Sequence, residues 1–141
     1  MMPTIHVGDC LLGDKLSCCL GALDVGDVIT FESPEEAGVT LVKRVVATEG
    51  QAVDLRDGLV CVDGVALDEQ YVGSAITGRP AIGAGEAVTY PHVVAEGCVW
   101  VMGDNRESSR DSRWFGDVPV SSVSSRVVAV VWLLGRACWM L

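Results

Sequence analysis

Short apolar runs rich in Val, Ile and Leu, broken every few residues by Gly, Asp or Pro, recur along this 141-residue chain. Such runs suit strands packed on a core, and they are too short and too evenly interrupted for helical periodicity. The spacing predicts strands at Asp27 to Phe31, Thr40 to Thr48, Ala52 to Arg56, Leu59 to Val62, Cys98 to Met102 and Arg126 to Leu133. Between Arg56 and Leu59, the pair Asp57-Gly58 suits a two-residue turn with positive φ at both positions, so the two flanking strands form a hairpin. From about Asp68 to Glu96 the pattern lapses among Pro80, Pro91 and several glycines, which marks a loop-rich lobe set between strands. The length is enough for one domain carrying a small lobe. The expected division is a core of about 1–53 and 97–141 with an inserted hairpin and lobe of about 54–96.

Half of the residues are hydrophobic, which argues for a folded protein. The formal charge of -9 would repel a phosphate backbone, so a nucleic-acid partner is not expected. The six cysteines, Cys10, Cys18, Cys19, Cys61, Cys98 and Cys138, lack the paired spacing and nearby histidines of a zinc site, and no metal is expected. The start of the chain lacks the basic and apolar segments of a signal peptide. The apolar stretch from Val127 to Leu141 contains Arg136 and is shorter than the roughly 20 residues of a spanning helix. It is expected to form a buried strand and a membrane-touching tail, in preference to a truncated anchor.

Three segments carry chemistry. The chain opens on MMPTIHVGD; Lys43, one of only two lysines, sits in the apolar strand LVKRVV; and MGDNRESSRDSRWFG concentrates charge between apolar flanks. An ordinary strand lysine points into water, and an ordinary polar loop is solvated. Here the apolar flanks CVWVM and WFGDVPV place the charges of the third segment at a core edge, where they must pair.

Together, and in this order, the three segments resemble the motifs of the bacterial type I signal peptidases. Met1, Pro3, Thr4, Gly8 and Asp9 match the first motif after its serine, Lys43 and Arg44 match the second, and Gly103 through Arg113 match the third. The resemblance implies a mostly β, antiparallel barrel-like catalytic core with a small inserted lobe. It implies a serine endopeptidase that uses a Ser/Lys pair, with Lys43 as general base and Ser109 positioning its amine. Such a lysine must be neutral near pH 7, far below its ordinary pKa of about 10.4, as burial allows. Arg44, Asp104, Asp111 and Arg113 are expected to form a supporting salt-linked frame, and Met1, Met2, Pro3 and Ile5 to line the substrate cleft.

The implied partners are preproteins bearing signal peptides cut after small residues, and a membrane surface on the extracytoplasmic side of the cell membrane, with no cofactor. The family serine would stand immediately before Met1, so the chain as written is expected to be inactive and cut short after its nucleophile. The alternatives are a peptide-binding pseudoenzyme and, less favoured, a self-cleaving regulator of the SOS-repressor type, which lacks the third motif.

Overall fold

A computed structural model describes residues 1–16, 23–72, 77–78 and 88–131. Among these residues ten strands build two antiparallel sheets. The larger has the order β1-β10-β2-β3-β8-β9, formed by β1 (Cys10–Asp14), β10 (Val123–Val131), β2 (Val28–Glu32), β3 (Thr40–Thr48), β8 (Cys98–Met102) and β9 (Val118–Pro119). The smaller has the order β6-β5-β4-β7, from β6 (Val65–Ala66), β5 (Leu59–Val62), β4 (Ala52–Arg56) and β7 (His92–Val93). The chain is therefore mostly β and antiparallel, as expected, but the sheets do not join into a closed barrel among the described residues.

The central strands β3 and β8 face apolar neighbours on both sides. Val45, Val99 and Val101 join Ile29 and Phe31 in one cluster, while Val46, Ala47, Trp100 and Met102 join Val53, Val60 and Val62 of the smaller sheet in the other. Burial on both faces explains why these strands read as continuous apolar runs instead of alternating ones. The hairpin of β4 and β5 turns at Asp57 and Gly58, with φ of 50° and 78°. A second turn of the same kind, Asp63-Gly64, joins β5 to β6.

The expected strands at Thr40, Ala52, Leu59 and Cys98 have the predicted bounds, and β2 lies one residue later than predicted. β10 starts earlier, at Val123, and its predicted end at Leu133 falls outside the described residues. It is not a buried strand: Val128, Ala129 and Val131 are exposed, because its partner β1 is short and half-exposed along its length. The apolar tail beyond Val131, and residues 73–76 and 79–87 of the expected lobe, also lie outside the described residues.

Candidate active site

Alternation along β3 puts Leu41, Lys43 and Val45 on one face and Val42, Arg44 and Val46 on the other. Leu41 and Val45 belong to the apolar cluster under the larger sheet, so the Lys43 stem runs along dry surface. β8 pairs with β3 up to Met102 opposite Arg44. The chain leaving β8 at Gly103 therefore passes directly over the middle of β3, and its next residues reach both faces.

The Lys43 amine donates to the Ser109 hydroxyl across 3.2 Å. It is half-buried, and burial pushes its pKa below the ordinary lysine value, with Arg113 acting in the same direction and the carboxylates of Asp111 and Asp104 partly opposing it. Gly103 makes this contact possible: a Cβ there would lie 2.2 Å from the Ser109 hydroxyl oxygen and 2.7 Å from its Cβ. Only a residue without a side chain leaves that space to Ser109.

Arg44, on the opposite face, takes Asp104 in a two-pronged pair, Nε to Oδ1 at 2.9 Å and Nη2 to Oδ2 at 2.8 Å, and donates from Nη1 to the Gly26 carbonyl. The Asp104 carboxylate is fully buried and also accepts from the Thr4 hydroxyl. Asp111 and Arg113 pair with each other, Nε to Oδ1 at 2.8 Å, and Asp111 accepts the Gly103 N–H at 3.0 Å. The second pair thus folds the charged segment on itself, while the first fastens it to β3. Helix α1 (Ser112–Phe115) starts on Asp111, whose side chain accepts from the Arg113 N–H. Phe115 closes the segment over Phe31, ring centroids 6.3 Å apart.

The N-terminal segment ends beside the lysine. The Met1 amine is held below its ordinary pKa by burial first and by the charge of Lys43 second, with Asp104 opposing. Met1 and Ile5 are half-buried, whereas Met2 and Pro3 are exposed. The structure thus brings Lys43, Ser109, Arg44, Asp104, Asp111, Arg113 and Met1 together around one point.

Three participants were not singled out from the sequence. Glu69 pairs with Arg106 across 2.5 Å, Thr77 accepts from the same guanidinium, and Tyr71 lies 4.0 Å beneath the Arg44 guanidinium. All three fall in the stretch without regular pattern, where spacing carries no signal. A separate cleft of about 770 Å³ opens beside Thr48, Glu49 and Cys98, away from the lysine. Among the described residues no group of three or more His, Cys, Asp or Glu side chains is placed to hold a metal ion, and no helix is long and apolar enough to cross a membrane.

Residues 1–132 match the family model described as signal peptidase, peptidase S26. The chain is 36% identical over 130 residues to the probable signal peptidase I-1 of Synechocystis, an alignment covering 87% of this chain and 62% of that protein. It is 33% identical to the signal peptidase I of Bacillus caldolyticus, covering 94% and 74% respectively. With the probable thylakoidal processing peptidase 2 of Arabidopsis thaliana it shares 32% identity over 94% of this chain and 35% of that protein. The chain thus spans from about a third to three quarters of the length of these relatives. A crystal structure of a signal peptidase I from Enterococcus faecalis superposes with a TM-score of 0.61 at 32% identity, covering 74% of this chain and 96% of that one.

Proposed function

The chain belongs to the signal peptidase S26 family, and from that membership we propose that it is the catalytic part of a Ser/Lys endopeptidase that removes signal peptides from secreted preproteins. The observation that carries the reading is the half-buried Lys43 amine, lowered in pKa and held 3.2 Å from the Ser109 hydroxyl. By donating one N–H to Ser109, the neutral amine fixes the direction of its lone pair. That lone pair is available to a hydroxyl brought in at the Met1 end, where the family serine precedes Met1.

In this mechanism the serine oxygen attacks the scissile carbonyl carbon while its proton passes to Lys43. The resulting ammonium returns the proton to the departing amine as the peptide bond breaks, leaving an acyl-enzyme. Lys43 then takes a proton from water, whose hydroxide oxygen attacks the ester, and the serine leaves reprotonated. Arg44, Asp104, Asp111 and Arg113 keep the Gly103–Ser109 segment against β3 throughout. Met1, Met2, Pro3 and Ile5 border the place where an extended substrate with small side chains lies, on the extracytoplasmic face of the membrane.

The test joins an N-terminal extension ending in Ser to Met1 and follows cleavage of a signal-peptide substrate beside the unextended chain. Cleavage is expected only with the extension, with loss of activity in Lys43→Met and a fall of about 10²-fold or more in Ser109→Ala, the scale on which a proton-transfer group contributes. Cleavage that survives Lys43→Met would overturn the reading. Tight substrate binding without cleavage in the serine-bearing chain would favour a peptide-binding pseudoenzyme instead.

A further inference from the structure

The stretch following β6 grips the Gly103-Asp104 dipeptide from two directions. The Glu69 carboxylate accepts from Arg106 at both oxygens, Nη2 to Oε1 at 2.5 Å and Nη1 to Oε2 at 2.8 Å, and Oε1 also accepts the Tyr71 hydroxyl at 2.8 Å. Arg106 in turn donates from Nε to the Gly103 carbonyl at 3.1 Å. On the other side the Tyr71 ring packs 4.0 Å from the Arg44 guanidinium carbon, and Arg44 holds Asp104. A guanidinium over an aromatic face is attracted by the ring quadrupole. Burial and Glu69 push the Tyr71 phenol well above its usual range, so it remains a donor to Glu69 wherever the protein is folded.

Both arms end on consecutive residues, and the first of them lies against the Lys43–Ser109 pair, since Ser109 occupies the space a Gly103 side chain would fill and the Lys43 amine borders it. We infer that Glu69, seconded by Tyr71, is a positioning residue for the Lys43–Ser109 pair, acting through Arg106 on Gly103 and through Arg44 on Asp104. The inference rests on the peptidase reading for its purpose, but its structural content does not. The Arg106 side chain is 1% exposed and that of Glu69 11%, so removing the carboxylate leaves a dry guanidinium without its counter-charge, and the Gly103 carbonyl loses a fixed donor. Ser109 then shifts, water reaches the lysine, and the desolvation that lowers its pKa is relieved. The sign separates this route from a direct field effect: deleting a negative charge acting through space would lower the lysine pKa further, whereas opening the site raises it.

Lys15 and Lys43 are the only lysines, so lysine-selective carbon-13 labelling gives two side-chain signals, and the Lys43 titration is read directly without any nucleophile present. The expected result is that Glu69→Gln increases the proton affinity of Lys43 at least threefold, toward that of an ordinary lysine. Tyr71→Phe keeps the ring over Arg44 and moves it less. Glu35→Gln, which breaks the exposed pair with Arg110 on the same segment, leaves it unmoved. A Glu69→Gln protein that melts earlier while Lys43 titrates as in the parent would make Glu69 merely structural and overturn the inference. If that variant does not fold, Glu69→Asp keeps the charge at shorter reach, and an unmoved Lys43 there has the same meaning. In the serine-bearing chain, Glu69→Gln is expected to lower kcat with little change in KM and to move the rising limb of the pH profile upward. Failure of the serine-bearing parent to cleave would count against the peptidase reading alone, because the titration stands without it.

Discussion

Two regions lean on the same pair of central strands and are held there by opposite means. The smaller sheet meets β3 and β8 chiefly through Val53, Leu55, Val60 and Val62 against Val46, Trp100 and Met102, a cluster of apolar side chains. The segment from Gly103 to Gly116 is fastened to β3 by Asp104 on Arg44 and held in shape by Arg106, Asp111 and Arg113, all four of these charges buried and paired. Truncating an apolar contact costs the transfer free energy of the removed atoms plus a cavity term graded by how far the site collapses. Paired buried charges tolerate no vacancy, since the remaining partner is stranded in a medium that solvates it poorly. The Lys43–Ser109 contact lies in the intolerant region, where a displacement of an ångström would separate the two groups.

The contrast can be broken most severely at Asp111. Asp111→Ala strands Arg113 and removes the acceptor of the Gly103 N–H, and chemical denaturation is expected to register a loss of about 3–5 kcal/mol. In the smaller sheet, Leu55→Ala removes apolar atoms from an otherwise intact cluster. The same measurement is expected to give about 2–3 kcal/mol, toward the lower part of the range for such truncations, because Leu55 retains 8% exposure. If the apolar truncation proves the costlier of the two, the distinction drawn between the regions fails.

The smallest effect is a slope against pH. Lys43 has a folded pKa below its unfolded value of about 10.4, so between the two values the unfolded chain binds more protons than the folded one. Stability contributed by this group therefore rises as pH increases from the folded pKa toward the unfolded one, and the cost of burying the ammonium is fully present below the folded pKa. Lys43→Met is expected to flatten that rise in urea midpoints taken across the alkaline range. An unchanged slope would mean that the amine is solvated.

The strands that bury both faces could be read from the sequence because their apolar runs exceed anything a surface strand needs: VKRVVA and CVWVM placed β3 and β8 without help from elsewhere. The three charged or Pro-bearing segments likewise pointed to Lys43, Ser109 and the four framing charges, and these do converge in space. β1 was illegible because Gly13 and Asp14 cut its apolar run short, and Gly13 is there for proximity: a Cβ would fall 2.5 Å from the Ser125 hydroxyl oxygen across the strand pair. The two-residue strands β6, β7 and β9 are too short to show any period. Asp63-Gly64 repeated the chemistry of Asp57-Gly58 and could have been read as a second turn. Glu69 and Tyr71 had no such signal, because what makes them important is the distant Arg106 and Arg44, and neither lies within reach along the sequence.

Arg44 joins four stretches of chain that are remote from one another: Gly26, Tyr71, Asp104 and, through a longer contact, Thr4. No such meeting exists until the chain has been synthesised past Asp104 and has collapsed. A growing or misassembled chain consequently carries Lys43 as an everyday ammonium ion, incapable of accepting a proton at neutral pH. In the mechanism proposed above, the proton acceptor would therefore appear only once these stretches have met.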